Sequence, residues 1–307
     1  MTVANFIPEL WAKTFLDRLK KEQVYGNVVN RDYEGIIKNL GDTVRVNSVS
    51  PVTISNYTRN TINLTPEVIN GAGQPMTIDQ ANYFYFAIDD VDKAQAQGGI
   101  MESAMDEASY GIRDATDQFL ASTIAGAIAQ ANVLEDSGGT DTSTTNPITI
   151  GTGAGDADAY ETLVDLGTRL NLANVPSGNR WCVVDPNFVG MLFRDPRFTS
   201  FATSDSLAAI KAGSSAGGSG GMLPSIFRTL LGMDIYVSNN VPTTGTPTVY
   251  TILAGYKGAV SYAEQIAEGQ PEAFRLQTGF ADAVRGLHLY GAHVFRPSAL
   301  AAVYVTY

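Results

Sequence analysis

The stretch DYEGIIKNLGDTVRVNSVSPVTI, residues 32–54, alternates like a β-strand but has little of the apolar mass that a hydrophobic core needs. Val44, Val46 and Ile54 are interleaved with polar residues, mostly Asn, Ser and Thr, which is the period-two pattern of a strand with one covered face. We interpret residues 31–85 as a long two-stranded ribbon that ends in the run MTIDQANYFYFAI. Because an isolated two-stranded hairpin is barely stable in water, something outside the ribbon must cover it.

The sequence changes its period on both sides of the ribbon. Residues 6–22 and residues 100–130 place apolar side chains on one face of predicted helices. The second helix, at 1.5 Å per residue, has a length of about 45 Å. Residues 135–158 form a polar, glycine-containing linker, after which helical and strand patterns alternate, and the tail from residue 280 returns to a β-pattern. These elements together predict an α+β fold.

The amino-acid composition indicates which kind of molecule the protein binds. The chain has 20 Lys and Arg against 31 Asp and Glu, and its basic residues are scattered. The resulting net charge of −11 argues against binding of nucleic acid through neutralised phosphates. Only 17% of the residues are charged, whereas about 25% is usual for a soluble domain. We therefore expect much of the surface to contact other protein chains.

The single cysteine, Cys182, excludes an internal disulfide and a cysteine-type zinc site. It lies in the apolar run RWCVVDP, so we predict that it is a small buried hydrophobic residue. Residues 1–21 lack the pattern of a signal peptide, and no segment approaches the ~20 apolar residues of a membrane span. We expect synthesis in the cytoplasm and no membrane partner.

Two patterns that could bind a ligand have simpler explanations. The run ITIGTGAGD, residues 148–156, is similar to a phosphate-binding turn, but Asp156 and Asp158 would repel a pyrophosphate. A glycine turn with an acidic cap is the better interpretation. His288 and His293 lie five residues apart in a predicted strand and therefore on opposite faces, which disfavours a shared metal ion. We predict that both histidines are neutral and that the chain has neither a metal site nor a cofactor.

A third pattern, GSSAG at residues 213–217, matches the nucleophile motif of serine hydrolases. That motif requires a rigid turn between a strand and a helix, whereas Ser215 lies in the glycine and serine tract AGSSAGGSGG. A flexible loop cannot hold a nucleophile in a fixed geometry. The sequence therefore predicts no catalytic residue and no enzyme.

The run NYFYFAI, residues 82–88, places aromatic side chains on both faces of one predicted strand. The residues concerned are Tyr83, Phe84, Tyr85 and Phe86. Aromatic residues are enriched both in cores and at interfaces between chains. Packing within the chain and contact with another chain therefore both stay open.

Six runs in order resemble the major capsid proteins of tailed bacteriophages, which have the Hong Kong 97-like fold. The runs are ANFIPELWA, VNRDYEGIIKNLGDTVRVNSV, FAIDDVDKAQAQ, WCVVDPNFVGMLFRDPRF, LLGMDIYVSNNVP and GLHLYGAHVFRPSALAAV. They span nearly the whole chain. The resemblance implies an N-terminal arm at 1–30, an extended loop (E-loop) at 31–85, a peripheral domain at 86–150 with 258–307, and an axial domain at 151–257.

The resemblance also implies the function. Such proteins form hexamers and pentamers of an icosahedral or prolate head that encloses double-stranded DNA without sequence specificity, and their E-loops lie across neighbouring subunits. The implied partners are further copies of the chain, a separate scaffolding protein, a portal protein and a decoration protein. Scaffolding by a separate protein, or prior cleavage, is expected because the arm begins at residue 2. The alternatives are an encapsulin-type compartment and, less in keeping with the sequence, a hydrolase that uses Ser215.

Candidate contact residues follow from this layout. Some relatives join the E-loop to a neighbour by a Lys–Asn bond, but the single lysine of residues 31–85 is in the proximal stem, so we expect no crosslink. The charged candidates for contacts between subunits are Arg31, Glu34, Lys38, Asp42, Arg45 and Arg59, in addition to the four aromatic residues. The candidates for a loop directed toward the capsomer axis are Gly213, Ser214, Ser215, Gly217 and Gly218.

Overall fold

The computed structural model describes residues 24–32, 43–49, 52, 54, 59, 71–90, 100–136, 139–151, 153, 155–194, 232–266, 272–277 and 279–307. The α-helices are α1 (Tyr25–Val28), α2 (Ile100–Gly126), α3 (Ala159–Leu172) and α4 (Pro186–Arg194). The strands are β1 (Thr43–Val49), β2 (Gly71–Thr77), β3 (Gln80–Asp89), β4 (Ile148–Thr149), β5 (Arg180–Val184), β6 (Met233–Val237), β7 (Thr243–Thr244), β8 (Val249–Tyr256), β9 (Val260–Ile266), β10 (Glu272–Arg275), β11 (Ala281–Val294) and β12 (Leu300–Thr306).

The larger sheet has the strand order β4-β12-β8-β5-β6, with β7 added to β8. Strands β5 and β6 are parallel, as are β4 and β12, and the other pairs are antiparallel. All five residues of β5 are buried. Leu163, Leu166 and Leu170 recur at helical spacing on α3 and pack into the same core, as does Phe188 of α4. This α/β layer confirms the alternating pattern expected for the middle of the chain.

The smaller sheet is organised by β11, which is 14 residues long. One edge of β11 pairs with β3, from Ala281 opposite Asp89 to Tyr290 opposite Gln80. The other edge pairs with β10 and then with β9. Helix α2 lies against this sheet, and the ring of Phe119 meets that of Tyr290 edge-on, with their centroids 5.3 Å apart. The predicted long helix is therefore confirmed over residues 100–126.

The ribbon is confirmed as a two-stranded antiparallel ladder of β1 and β2, with Thr43 opposite Thr77 and Val49 opposite Gly71. One part of the interpretation is wrong. Residues 80–85, which we assigned to the ribbon, lie in β3 and pair with β11. The alternating pattern of this run predicts a strand, but it contains no information about which strand is the neighbour.

The C-terminal strand β12 pairs with β8 and β4, so the tail contributes to the larger sheet through β12 and to the smaller sheet through β11. The predicted division into four regions stays a prediction. The predicted helix at 6–22 lies outside the described residues. Among the described helices, none combines the length and the apolar character that a membrane span requires.

Candidate inter-subunit surfaces

The ribbon exposes apolar side chains. Ile54 is 96% exposed and Val52 is 59% exposed. Within the described part of the chain, β1 and β2 form a sheet of two strands, so both are edge strands. Edge strands present backbone N–H and C=O groups that can pair with another chain. The ribbon thus combines exposed apolar side chains with an open backbone edge.

The aromatic run of β3 divides between the two faces of the smaller sheet. Tyr83 and Tyr85 are 77% and 53% exposed, whereas Phe84 and Phe86 are partly buried on the other face. Phe84 packs over Gly286, where a Cβ atom would lie 2.6 Å from Cζ of Phe84. The glycine therefore leaves the space that this ring occupies. Packing within the chain is therefore confirmed for the inner face, and contact of the exposed face with another chain stays a prediction.

Three further residues share the exposed face with the two tyrosines. The ring of Phe274 stacks on Tyr85, with 6.2 Å between the centroids, and the guanidinium carbon of Arg285 lies 5.1 Å from the Phe274 centroid. Leu287 is opposite Tyr83 in the ladder and is 42% exposed. We call Tyr83, Tyr85, Phe274, Arg285 and Leu287 the outer aromatic surface.

A cavity of about 440 Å³ lies on the inner side of this sheet, between α1, α2 and the strands. Phe84 and Ile112 contribute apolar walls, and Arg113, Glu264 and His288 contribute polar groups. Arg31 also lines the cavity and forms an ion pair with Glu264 of its own chain. The structure therefore gives this residue, which we predicted to contact a neighbouring subunit, a partner within the subunit.

The Glu264 carboxylate is surrounded by donors. Its Oε2 atom accepts a hydrogen bond from the Tyr262 hydroxyl at 2.6 Å and lies 3.1 Å from Nε2 of His288. Burial, and then the charge of Arg31, lower the pKa of His288 below its ordinary value. The imidazole is therefore neutral at neutral pH, in agreement with the prediction for this histidine.

A second polar junction joins three parts of the chain. Asp117 of α2 is 2% exposed, and its Oδ1 accepts hydrogen bonds from the backbone N–H groups of Val24 and Tyr25, at 3.2 and 2.7 Å. Its Oδ2 accepts a bond of 3.0 Å from the Asn240 amide, which also donates to Asp114 at 2.9 Å. Burial raises the pKa of Asp117, while the bonds from Asn240 and the backbone oppose this shift. Sequence reasoning missed this junction, because its partners are far apart in the chain and no local pattern marks them.

Comparison with known proteins defines the family of this chain. The family profile described as "Phage capsid protein" matches residues 71–303, which is well over half of the chain. The chain belongs to the phage capsid protein family. The chain has no match among curated proteins.

Solved structures agree with the assignment of this chain to the phage capsid protein family. A structure from Mycobacterium phage Che8 is 29% identical, with a TM-score of 0.69 and coverage of 98% of both chains. The capsid structure of cyanophage P-SCSP1u is 18% identical, with a TM-score of 0.66 over 94% of this chain and 89% of that one. The capsid of Ralstonia phage GP4 is 12% identical, with a TM-score of 0.60 over 93% and 91%.

These findings confirm the Hong Kong 97-like fold and the main function. The protein is a structural major capsid protein of a tailed bacteriophage and a component of the virion. An encapsulin-type compartment is not favoured by these matches. The capsid protein therefore works as one of many copies in a shell.

Several predicted contact residues of the capsid protein remain predictions. Arg45 lies in β1 opposite Pro75, and Arg59 is exposed in a turn. Other candidates lie outside the described residues, namely Glu34, Lys38, Asp42, Gly213, Ser214, Ser215, Gly217 and Gly218.

The glycine turn of the capsid protein is occupied by its own carboxylate. Oδ2 of Asp156 accepts a hydrogen bond from the Gly153 N–H at 2.8 Å, and it would lie 2.6 Å from a Cβ atom at Gly153. The Asp156 carboxylate therefore takes up the Gly153 N–H, one of the backbone donors that a phosphate-binding turn would need. The glycine turn is present, but the acidic cap is not confirmed as predicted, because Asp158 is the N-cap residue of α3 and its side chain makes no capping hydrogen bond.

Two other residues of a type that could bind a metal, Cys182 and His293, are buried and half-buried in the capsid protein. Cys182 is fully buried, which raises the pKa of its thiol to about 12 and confirms its role as a small hydrophobic residue. His293 is half-buried, with its ring 4.9 Å from that of Phe295. Over the described ranges, no group of His, Cys, Asp and Glu side chains has the arrangement of a metal site.

Proposed function

We propose that this capsid protein assembles into hexamers and pentamers that form an icosahedral or prolate head around double-stranded DNA. The observation that carries the proposal is the two-stranded ribbon with its exposed Ile54. In a closed ring of identical subunits, each ribbon has a neighbouring copy beside it. Burial of the ribbon against that copy supplies the cover that the subunit itself lacks.

The outer aromatic surface is a second contact region in this proposal. Tyrosine, phenylalanine and arginine are enriched at interfaces, and Tyr83 is the most exposed aromatic residue of this surface. Tyr83 and Tyr85 contact the adjacent subunit, whereas Phe84 and Phe86 pack within their own subunit. The charged ribbon residues Glu34, Lys38, Asp42, Arg45 and Arg59 contribute at the rim of the contact.

The proposed layout follows the family. The arm, the E-loop, the peripheral domain and the axial domain keep the predicted bounds 1–30, 31–85, 86–150 with 258–307, and 151–257, except that residues 80–85 belong with β3 to the smaller sheet and not to the E-loop. The tract at residues 212–221 is directed toward the capsomer axis.

The net charge of −11 suits a container that encloses DNA without binding each phosphate. A separate scaffolding protein directs assembly in the cytoplasm of the bacterial host. A portal protein occupies one vertex of the head, and a decoration protein binds its outside. The capsid protein itself performs no catalysis.

Co-expression with the phage's scaffolding protein, followed by sedimentation and electron microscopy, tests the proposal. We expect hollow particles from the wild-type chain and a much lower yield from Ile54→Asp, because a carboxylate at a buried contact is strongly unfavourable. Leu172→Asp is the matched control, since this residue is 71% exposed on α3, outside the ribbon and the outer aromatic surface. A wild-type chain that stays monomeric with its scaffold present would contradict the proposal.

A further inference from the structure

The ribbon is joined to the body of the subunit at two places. On the outgoing side the described chain runs to Asp32, and on the returning side strand β2 ends at Thr77. Just before the first place, Asn30 lies beside β9, where its N–H donates to the Val260 carbonyl and its carbonyl accepts from the Tyr262 N–H, both at 2.9 Å. The outgoing chain is thus hydrogen-bonded to β9 at Asn30, ahead of strand β1, which begins at Thr43.

The next residue of the outgoing chain, Arg31, adds a side-chain attachment. Its guanidinium forms an ion pair with Oε1 of Glu264, and its central carbon lies 5.4 Å from the centre of the Tyr262 ring. The other carboxylate oxygen of Glu264 contacts the Tyr262 hydroxyl and His288, as described above. An exposed ion pair alone adds little stability. Here, however, the carboxylate is held in one orientation by two groups of the sheet, so it fixes the position of the arginine.

The returning strand is attached to the same sheet by close packing. Met76 and Ile78 are buried with Ala263 of β9 and Leu289 of β11. At Gly291 of β11 there is no room for a side chain, because a Cβ atom would lie 3.0 Å from Cα of Ile78 and closer still to the Thr77 carbonyl oxygen. The backbone of the returning chain therefore lies directly on β11.

Both attachments use one small part of the smaller sheet. Residues 260–264 of β9 and residues 288–291 of β11 hold the outgoing and the returning chain together. The returning strand is packed on this sheet at its end, and the outgoing chain is held to it at residues 30 and 31, so a change of direction at this point requires that one of these attachments breaks. We propose that Glu264 and Gly291 are positioning residues, which set the direction in which the ribbon leaves the subunit and therefore where it meets the neighbouring copy.

That the ribbon contacts a neighbouring copy rests on the proposed function. The direction in which the ribbon leaves the subunit, however, is a property of the single subunit. It can be measured on unassembled subunits that carry spin labels at Arg59→Cys in the ribbon and Leu172→Cys on α3, where both positions are exposed. The natural Cys182 is fully buried and its raised pKa keeps it unreactive toward the label. Double electron–electron resonance spectroscopy then gives the distribution of distances between the two labels.

We expect a narrow distribution in the parent protein and broad distributions in Glu264→Gln and Gly291→Ala. Arg31→Glu should also broaden the distribution, and the exchange Arg31→Glu with Glu264→Arg should narrow it again. Arg275→Gln is the control, because it removes an ion pair with Asp90 at the opposite end of β11. Circular dichroism establishes that each variant is folded. If Gly291→Ala does not fold, the charge exchange still decides the role of Glu264.

Particle yield with the scaffolding protein separates the two proposals. If the parent forms shells but none of the variants changes the distance distribution, the positioning role is overturned and the shell assembly stands. If the distributions change as expected while the parent forms no shells, the positioning role stands and the proposed function fails. If Arg275→Gln broadens the distribution as much as Glu264→Gln, a general loosening of the sheet replaces the specific role of Glu264.

Discussion

The two main sheets of this capsid protein differ in how much of their cover comes from their own chain. In the larger sheet, all five residues of β5 are buried. In the smaller sheet, β3 alternates between partly buried and exposed residues along its whole length. The central strand β5 of the first sheet is covered on both faces by its own chain, whereas β3 of the second sheet is covered on one face only. The subunit thus separates a part that folds by itself from a part that is available for assembly.

The exposed face is more apolar than a surface that stays in water needs to be. Tyr83, Tyr85 and Leu287 are close to one another on it, with Phe274 beside them. Contiguous apolar surface of this kind is typical of a contact with another chain. Its burial would stabilise assembly by about 25 cal/mol for each Å² removed from water, before the cost of association. The comparison predicts that substitutions in the two sheets affect different steps.

The largest effect on folding is expected in the larger sheet. Leu253 of β8 is completely buried, and Leu253→Ala leaves a cavity in the main core. Such substitutions lower the free energy of unfolding by about 2–5 kcal/mol. Urea denaturation of unassembled subunits measures the loss. Leu172→Ala, at a residue that is 71% exposed, is the control and should change stability by less than about 0.5 kcal/mol. Equal losses in the two variants would contradict the comparison.

A smaller effect is expected at the junction that joins the sheets through α2. Asp117→Ala removes the acceptor of the Val24, Tyr25 and Asn240 donors. Because it leaves buried donors without their partner, we expect a loss of about 1–3 kcal/mol. Asp114→Ala removes one bond to the same amide and serves as the control. If Asp117→Ala were as stable as the parent, the junction would not be what holds Val24 and Tyr25 to α2.

The same junction should respond to pH in a defined direction. Burial raises the folded-state pKa of Asp117 above its ordinary value of 3.8. The folded protein therefore binds this proton more tightly than the unfolded chain does, and the resulting stabilisation is lost as the pH rises through the folded-state pKa. The difference in stability between the parent and Asp117→Ala should be greatest in acid and decrease as the pH rises. Denaturation series at several pH values measure it, and a difference that grows with pH would contradict the assigned shift.

The sequence predicted the elements better than it predicted their neighbours. The buried run around Cys182, the long helix and the ladder of β1 with β2 follow from local periodicity, and each is present. The pairing of β3 with β11 joins residues about two hundred positions apart, and no local pattern marks it. Period-two alternation indicates which residues share a face of the strand, but it does not indicate which other strand pairs with it.

The polar contacts were still harder to predict for the same reason. Arg31 was identified from its charge and its place in the ribbon, and we assigned it to a neighbouring subunit. Its partner Glu264 is 233 residues away in the chain. Asn240 and Asp117, which are 123 residues apart, gave no signal at all. Such pairs depend on the topology, so sequence reasoning can propose the charged residue but has no means of finding its partner.

The smallest effect on folding, and the most informative one, is expected on the exposed face of β3. Tyr83 is 77% exposed, so Tyr83→Ala should change the free energy of unfolding by less than about 0.5 kcal/mol. Phe84→Ala, one residue away on the other face, is the control. It should cost about 1–2 kcal/mol, because full burial of a phenylalanine contributes about 1.5–3 kcal/mol and this ring is partly buried.

The yield of assembled particles should respond in the opposite way, with a larger loss for Tyr83→Ala than its small effect on the stability of the subunit would suggest. Tyr83→Ala weakens assembly without weakening the subunit, since its side chain has little contact until a second copy covers it. Parallel measurement of urea denaturation and of particle yield by sedimentation tests this separation. If Tyr83→Ala destabilised the isolated subunit as much as Phe84→Ala, the outer aromatic surface would belong to the fold of one chain. If it left both stability and yield unchanged, this face would lie outside the subunit contacts, and the ribbon alone would have to join the copies.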